Sequence, residues 1–413
     1  MFSTLRGVCP ARFQIKRAFV ICLVPPTRSI QKLPPKGFAF KCHNTVPVKI
    51  RIQNHKFHTT KRLDIPPLFA LLLRPVLRIG SFIFGRTIRR WWLKKSPSER
   101  AQYTAWLQKQ KRYIYGTIGS FFFVLLVYYL AHIERTVVTN RPRFIMFTKQ
   151  QEAAFAKLIF DAHLEEHKDH ILPKDHPIYK RLLKITNRIL NANKDLPYVK
   201  DKHWTLSVID NPTKNAYVLP GGNMFIFTGA LQMVENEDQL SFIVAHEMAH
   251  ALLKHSIEQV SNGFLVDLLL VFPIIIIWAI FPDLIAGLLQ FLGTSFVKIL
   301  HDLPYSRALE TEADEVGLTL SAKACIDVRE AVVFWGMMRT LKDMNSEQDQ
   351  IPWLSTHPND EDREKNLNSQ MAQAIALRST YQCPTLNPRD PRKTFYEKSQ
   401  KELAARLKDS GIL

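Results

Sequence analysis

His246 and His250 stand four residues apart, with Glu247 directly after the first. On a helix of 3.6 residues per turn such positions share a face, so both imidazoles can reach one metal ion. Glu247 falls beside them without competing as a ligand, where a carboxylate can take a proton from water that the metal has acidified. Leu240–His255 carries the apolar stripe of a single helix, and the acid-rich run Glu235-Asn236-Glu237-Asp238 reads as its start. A catalytic zinc needs a third side-chain ligand and an open position. Glu310, at the start of a second helical run from Ser306 to Asp314, is the candidate; Asp314, one turn on, can accept a hydrogen bond from a ligand histidine. A solvated acidic helix start would show the same spacing. Glu312 points to another side of that helix and is left unassigned.

Together with Ser355-Thr356-His357-Pro358 and the stretch Asn215–Leu231, these motifs resemble the membrane metallopeptidase family of HtpX and the CAAX prenyl proteases. Within it the closest likeness is to the Oma-type peptidases of the mitochondrial inner membrane, whose activity overlaps that of the m-AAA protease. The resemblance covers roughly residues 140–380 and implies one zinc ion per chain, held by His246, His250 and Glu310, with Glu247 as general base. It also implies that His357 stabilises the oxyanion at the substrate carbonyl. A further implication is quality control and stress-activated processing of an inner-membrane dynamin-like GTPase.

Substrate is expected as an added strand. The β-type run Met224–Thr228 after Pro220-Gly221-Gly222 is the expected edge, and Asn215 and Asn223 either hold the substrate backbone or simply serve the turns. The fold class expected is mainly α with a small β-sheet (α+β), a membrane-anchored zincin-like domain over 134–380. Trp204–Asp210 and 216–228 supply the sheet, helices lie near 326–342 and 359–377, and a polar tail fills 381–413.

Charge separates the chain in two. Its formal net charge is +19, but residues 1–98 hold twenty Lys and Arg against the single acid Asp64, leaving thirty-six of each sign in the remainder. The excess describes the leader, not the catalytic part, so nucleic acid is not the expected partner. Residues 1–64 read as a mitochondrial transit region. Residues 65–112, with Arg74, Arg78, Arg86, Arg89 and Arg90 among leucines and aromatics, suit an anionic membrane surface such as cardiolipin, or the tail of the leader. Residues 113–133 are uncharged and long enough to cross a bilayer, with Lys109, Lys111 and Arg112 before them. The positive-inside rule leaves that flank in the matrix and puts the catalytic domain in the intermembrane space, on a single-pass protein.

The apolar stretch 263–296 lies between the two metal-binding runs, which must meet on one side of the membrane. Only zero or two crossings are allowed, and 34 residues are too few for two, so a re-entrant or interfacial helical hairpin is expected. His163, His167, His170 and His176 line an acidic patch that is either an accessory metal site or, as the charge pattern favours, a solvated face. Cys9, Cys22 and Cys42 lie in the leader. Cys325 and Cys383 lack the CxxC spacing of structural zinc, and a bridge between them that tunes activity is one expectation, two separate thiols the other.

The partners expected are protein substrates anchored in the inner membrane; a homo-oligomer is compatible with the sequence. Competing readings are an HtpX-like or CAAX-type enzyme of another compartment, and a non-catalytic membrane scaffold.

Overall fold

The computed structural model describes residues 67–343, 351–357 and 361–409. The transit region, its three cysteines and Pro358 lie outside them. Helix α1 (Pro67–Leu93) is followed by α2 (Pro97–Ala131), which starts where the Ser96 side chain accepts from Glu99 N and the Glu99 side chain accepts from Ser96 N, with Pro97 in the first turn. Strands β1 (Ile133–Arg135) and β2 (Pro142–Phe144) form an antiparallel hairpin. Helices α3 (Lys149–His167), α4 (Pro177–Ala192) and the short α5 (Pro197–Lys200) come next.

A three-stranded sheet follows, from β3 (Thr205–Ile209), β4 (Ala216–Val218) and β5 (Asn223–Phe227), in the order β3-β5-β4. β5 pairs with β3 in parallel and with β4 in antiparallel. The expectation that Met224–Thr228 presents an edge is therefore corrected. Four of the five β5 residues are buried, as a strand flanked on both sides requires. β4 is an edge strand instead.

Helix α6 (Glu237–Leu252) opens on Asn236, whose side chain accepts from Gln239 N, with Glu237 and Asp238 in its first turn. It is buried on nearly every side because α4, the sheet, α9 (Leu303–Lys323) and α10 (Arg329–Asp343) all pack on it. Lys254, in the left-handed region at φ 54°, ends it and turns the chain into α7 (His255–Ile280). After the turn at Phe281 and Pro282, α8 (Asp283–Val297) runs back and joins α9 through one π-helical turn, Lys298–Asp302. Short α11 (Pro352–Thr356), α12 (Glu361–Thr380) and α13 (Pro391–Asp409) complete the chain, so the tail expected to be merely polar carries a helix.

Among the described residues, three helices are long and apolar enough to cross a membrane: α2, α7 and the continuous run Asp283–Lys323. The apolar stretch 263–296 falls on α7 and α8, and α7 begins eight residues before it. Phe272 of α7 meets Phe121 of α2 with ring centroids 5.2 Å apart. No residue of α2 is buried, and Phe123, Val124, Leu284, Phe291 and Phe296 are exposed, as helices bathed in lipid would be.

Helix α1 packs along α7. Its arginines meet carboxylates: Arg74 and Arg78 hold the buried Asp267 at 2.6 and 2.7 Å, and Arg86 and Arg89 hold Asp283. These four cations, for which the sequence offered an anionic membrane surface or the tail of the leader, also serve the helical packing.

Two features fix the half that carries His246 and Glu310. Gly317 sits where α9 crosses α6; a Cβ there would lie 3.0 Å from His246 Cα and 3.1 Å from His246 N. Cys325 and Cys383 form a disulfide that ties the end of α9 to the chain just after α12, so the bridged alternative holds. Gly317→Ala should lower the melting temperature, although alanine favours a helix interior by about 1 kcal/mol over glycine; a stabilised variant would show that the two backbones can part freely. The bridge closes a separation of 58 residues, so replacing both cysteines by serine should cost about 4 kcal/mol in denaturant unfolding. An unchanged midpoint would contradict that.

Candidate active site

Helix α6 presents His246, Glu247 and His250 on its buried length because the apolar stripe around them fills the core. Helix α9 brings Glu310 and Asp314 against it along the Gly317 contact. His250 Nε2 lies 3.1 Å from His246 Nε2 and 3.5 Å from Glu310 Oε1, and His246 Nε2 lies 3.4 Å from Glu310 Oε2. Ligands about 2.0–2.1 Å from a tetrahedral ion stand ~3.3 Å from one another. The two nitrogens and the Glu310 carboxylate, which reaches each of them through a different oxygen, come near that spacing, so the residues fit a divalent cation. Asp314 Oδ1 is 3.0 Å from His246 Nδ1, the nitrogen facing away from the cluster, as the spacing of Asp314 one turn after Glu310 predicts.

His357 follows α11 and enters the same cluster. Its Nδ1 is 2.9 Å from Glu310 Oε2 and 3.4 Å from His246 Nε2, while its Nε2 is 3.3 Å from Glu247 Oε1. The ring therefore occupies a fourth corner, and His246, His250, Glu310 and His357 form one group able to hold a metal ion.

Two residues that the sequence did not single out complete the surroundings. Trp353 Nε1 donates to Glu247 Oε1 at 2.8 Å, and its ring stacks on His357 at 4.9 Å and on Trp335 at 5.4 Å. Arg363 of α12 donates to both oxygens of Asp314 at 2.7 Å and to Glu310 at 3.0 Å, with its guanidinium 3.7 Å over Trp335. Burial works against a charged Arg363, and the Asp314 carboxylate outweighs it, so its pKa stands above the usual value. Burial likewise disfavours a charged His246, but Asp314 and Glu310 raise its pKa above the histidine norm. The centre attracts cations: Glu247, Glu310 and Asp314 converge on it, and Arg363 is the buried arginine set among them. Trp353 and Arg363 carry no motif readable in one sequence, apart from their closeness to the His-Pro pair.

The substrate-side asparagines fare differently. Asn215 sits just before β4, and its carbonyl accepts from Phe227 N. Asn223 starts β5 and donates to Thr205 Oγ1 at 2.8 Å, on the β3 side of the sheet. The structure does not bring Asn223 to the β4 edge. A small apolar cavity lined by Ala216, Val218, Met224, Ile226 and Val244 does place that edge beside Glu247.

His163, Glu166 and His167 form a second group with metal-ligand spacing, partly exposed. The Tyr217 hydroxyl lies 3.1 Å from His163 Nδ1, and burial lowers the His163 pKa. His176 is not among them; its Nδ1 caps α4 by accepting from Ile178 N. Glu312, unassigned from sequence, is buried and holds Arg141 Nε at 2.7 Å.

Residues 180–371 match the profile of peptidase family M48, a range that contains all of His246, His250, Glu310, Asp314 and His357. The chain is 36% identical over 371 residues to the human mitochondrial metalloendopeptidase OMA1, covering 87% of this chain and 70% of that one. Against the bovine mitochondrial metalloendopeptidase OMA1 it is 36% identical over 359 residues, 86% and 69% of the two chains. The mitochondrial metalloendopeptidase OMA1 of Saccharomyces cerevisiae is 29% identical over 271 residues, 63% of this chain and 75% of its own. The chain is thus a metalloendopeptidase that belongs to peptidase family M48, in the branch of the OMA1 metalloendopeptidases.

Proposed function

We propose that this chain is a zinc endopeptidase of the mitochondrial inner membrane that cleaves membrane-tethered proteins. The observation that carries the reading is the gathering of His246 Nε2 and His250 Nε2, 3.1 Å apart, against the Glu310 carboxylate, whose two oxygens lie 3.4 and 3.5 Å from them, with Glu247 beside the group. A zinc ion held there supplies a Lewis acid that acidifies water and polarises a peptide carbonyl. Glu247, oriented by the Trp353 N–H, takes the proton of the attacking water and passes it to the leaving amine. His357 donates to the carbonyl oxygen as that atom gains charge. Catalysis needs an open position at the centre, so the His357 ring must leave the fourth corner for substrate to enter. The peptide adds as a strand to β4, which lines the cavity beside Glu247.

The topology we infer has α2, α7 and the α8–α9 run crossing the bilayer, with α1 clasped to α7 by its arginines. The catalytic half faces the intermembrane space, since the cationic end of α2 stays in the matrix. Arg90, Lys94, Lys109, Lys111 and Arg112 lie toward that far end, where an anionic lipid such as cardiolipin would meet them. The family likeness supports a role in quality control and stress response, with an inner-membrane dynamin-like GTPase among the substrates. Self-association is compatible with this arrangement.

Glu247→Gln should retain zinc and lose roughly 10²–10⁴-fold in cleavage of a membrane-tethered reporter; full activity in that variant would end the peptidase reading. For topology, Leu284→Cys at the hairpin tip and Ser379→Cys in the catalytic half should react with impermeant thiol reagents from opposite faces of the inner membrane. Labelling of both from one face would show that the hairpin does not cross.

A further inference from the structure

Behind His250, away from the other donors, runs a second chain of polar contacts. His255 Nδ1 lies 2.9 Å from His250 Nδ1, and His255 Nε2 lies 3.2 Å from Glu312 Oε2. Glu312 also accepts from the Thr139 hydroxyl and, at 2.7 Å, from Arg141 Nε. The other two guanidinium nitrogens of Arg141 each reach a Glu258 oxygen at 2.7 Å, and the Tyr305 hydroxyl donates to Glu258 Oε1 at 2.6 Å. His255, Glu258 and Glu312 are buried.

The protons in this chain have one consistent order. With His250 Nε2 turned as a lone pair toward the donor cluster, its Nδ1 carries the hydrogen and donates. His255 Nδ1 must then accept, which places the His255 hydrogen on Nε2, facing the Glu312 carboxylate. The chain ends in the turn of the β1–β2 hairpin, on Thr139 and Arg141. That hairpin follows α2 directly, with one residue, His132, between the end of the helix and the start of β1.

We propose that His255, Glu312 and Arg141 are positioning residues that fix the tautomer and ring plane of His250, and so tie metal affinity to the hairpin at the end of the membrane-length helix α2. None of them touches substrate or the reacting atoms. A shift of α2 would reach the hairpin first, then Arg141, Glu312, His255 and finally a metal ligand. The proposal rests on the zinc reading above.

The test is a zinc dissociation constant, measured on the purified full chain in detergent by competition with a chromogenic chelator, with circular dichroism to verify folding. His255→Leu should weaken zinc about 10–100-fold, the range typical when the partner of a ligand histidine is lost. Arg141→Gln should weaken it in the same sense by a smaller factor. His255→Asn places a side-chain oxygen near the position of Nδ1 but does not reach Glu312. It should therefore restore most of the affinity and make it insensitive to Arg141→Gln. Should His255→Leu fail to fold, the His255→Asn and Arg141→Gln cycle decides alone. An Arg141→Gln effect of equal size with and without His255→Asn, or none in either, overturns the relay. A wild-type chain that takes up no stoichiometric zinc overturns the metal reading itself, and this proposal with it.

Discussion

Glu310 reaches the two histidines only because α9 lies against α6 at backbone distance. Gly317 permits that approach, since any side chain there would push against the His246 main chain. Asp314, one turn from Glu310 on the same face, then meets His246 Nδ1. The segment between the two helices must leave and return to the same place. The α7–α8 hairpin does this, which is why a long apolar excursion sits inside a catalytic domain without separating its halves.

The same approach gathers ionised groups in a dry interior, a costly arrangement unless each finds partners. Arg363 spans Asp314 and Glu310, Trp335 covers its face, and Trp353 links the stack to Glu247. On the other side His255, Glu312 and Arg141 do the same for His250. His246 is thus backed by Asp314 of α9, whereas His250 is backed through His255 by Glu312 of the same helix, which extends the contacts to Arg141 beside the β1–β2 hairpin.

The sequence made the site far more legible than its surroundings. His246, His250 and Glu310 could be assigned because helical spacing and ligand chemistry constrain them jointly, and Asp314 because one turn is a fixed displacement. Glu312 was set aside on that same rule. It does point away from Glu310, but it points into a buried network whose other members come from 139–141 and 255–258, and no local pattern links such distant segments. The choice of β5 over β4 as the edge failed similarly: apolar alternation marks a strand, while its place in a sheet depends on which neighbours cover it. The hairpin over 263–296 was legible as a hairpin, since the runs on either side of it must meet, but its bounds were not, because α7 begins well before the apolar residues.

X-ray absorption at the zinc edge, on the full chain purified with its metal, addresses the account most directly. It predicts one zinc per chain with two imidazole nitrogens and a carboxylate oxygen among its ligands, no sulfur, and one histidine fewer in a His250→Ala chain. A metal bound through sulfur, or a first shell unchanged by His250→Ala, would contradict it.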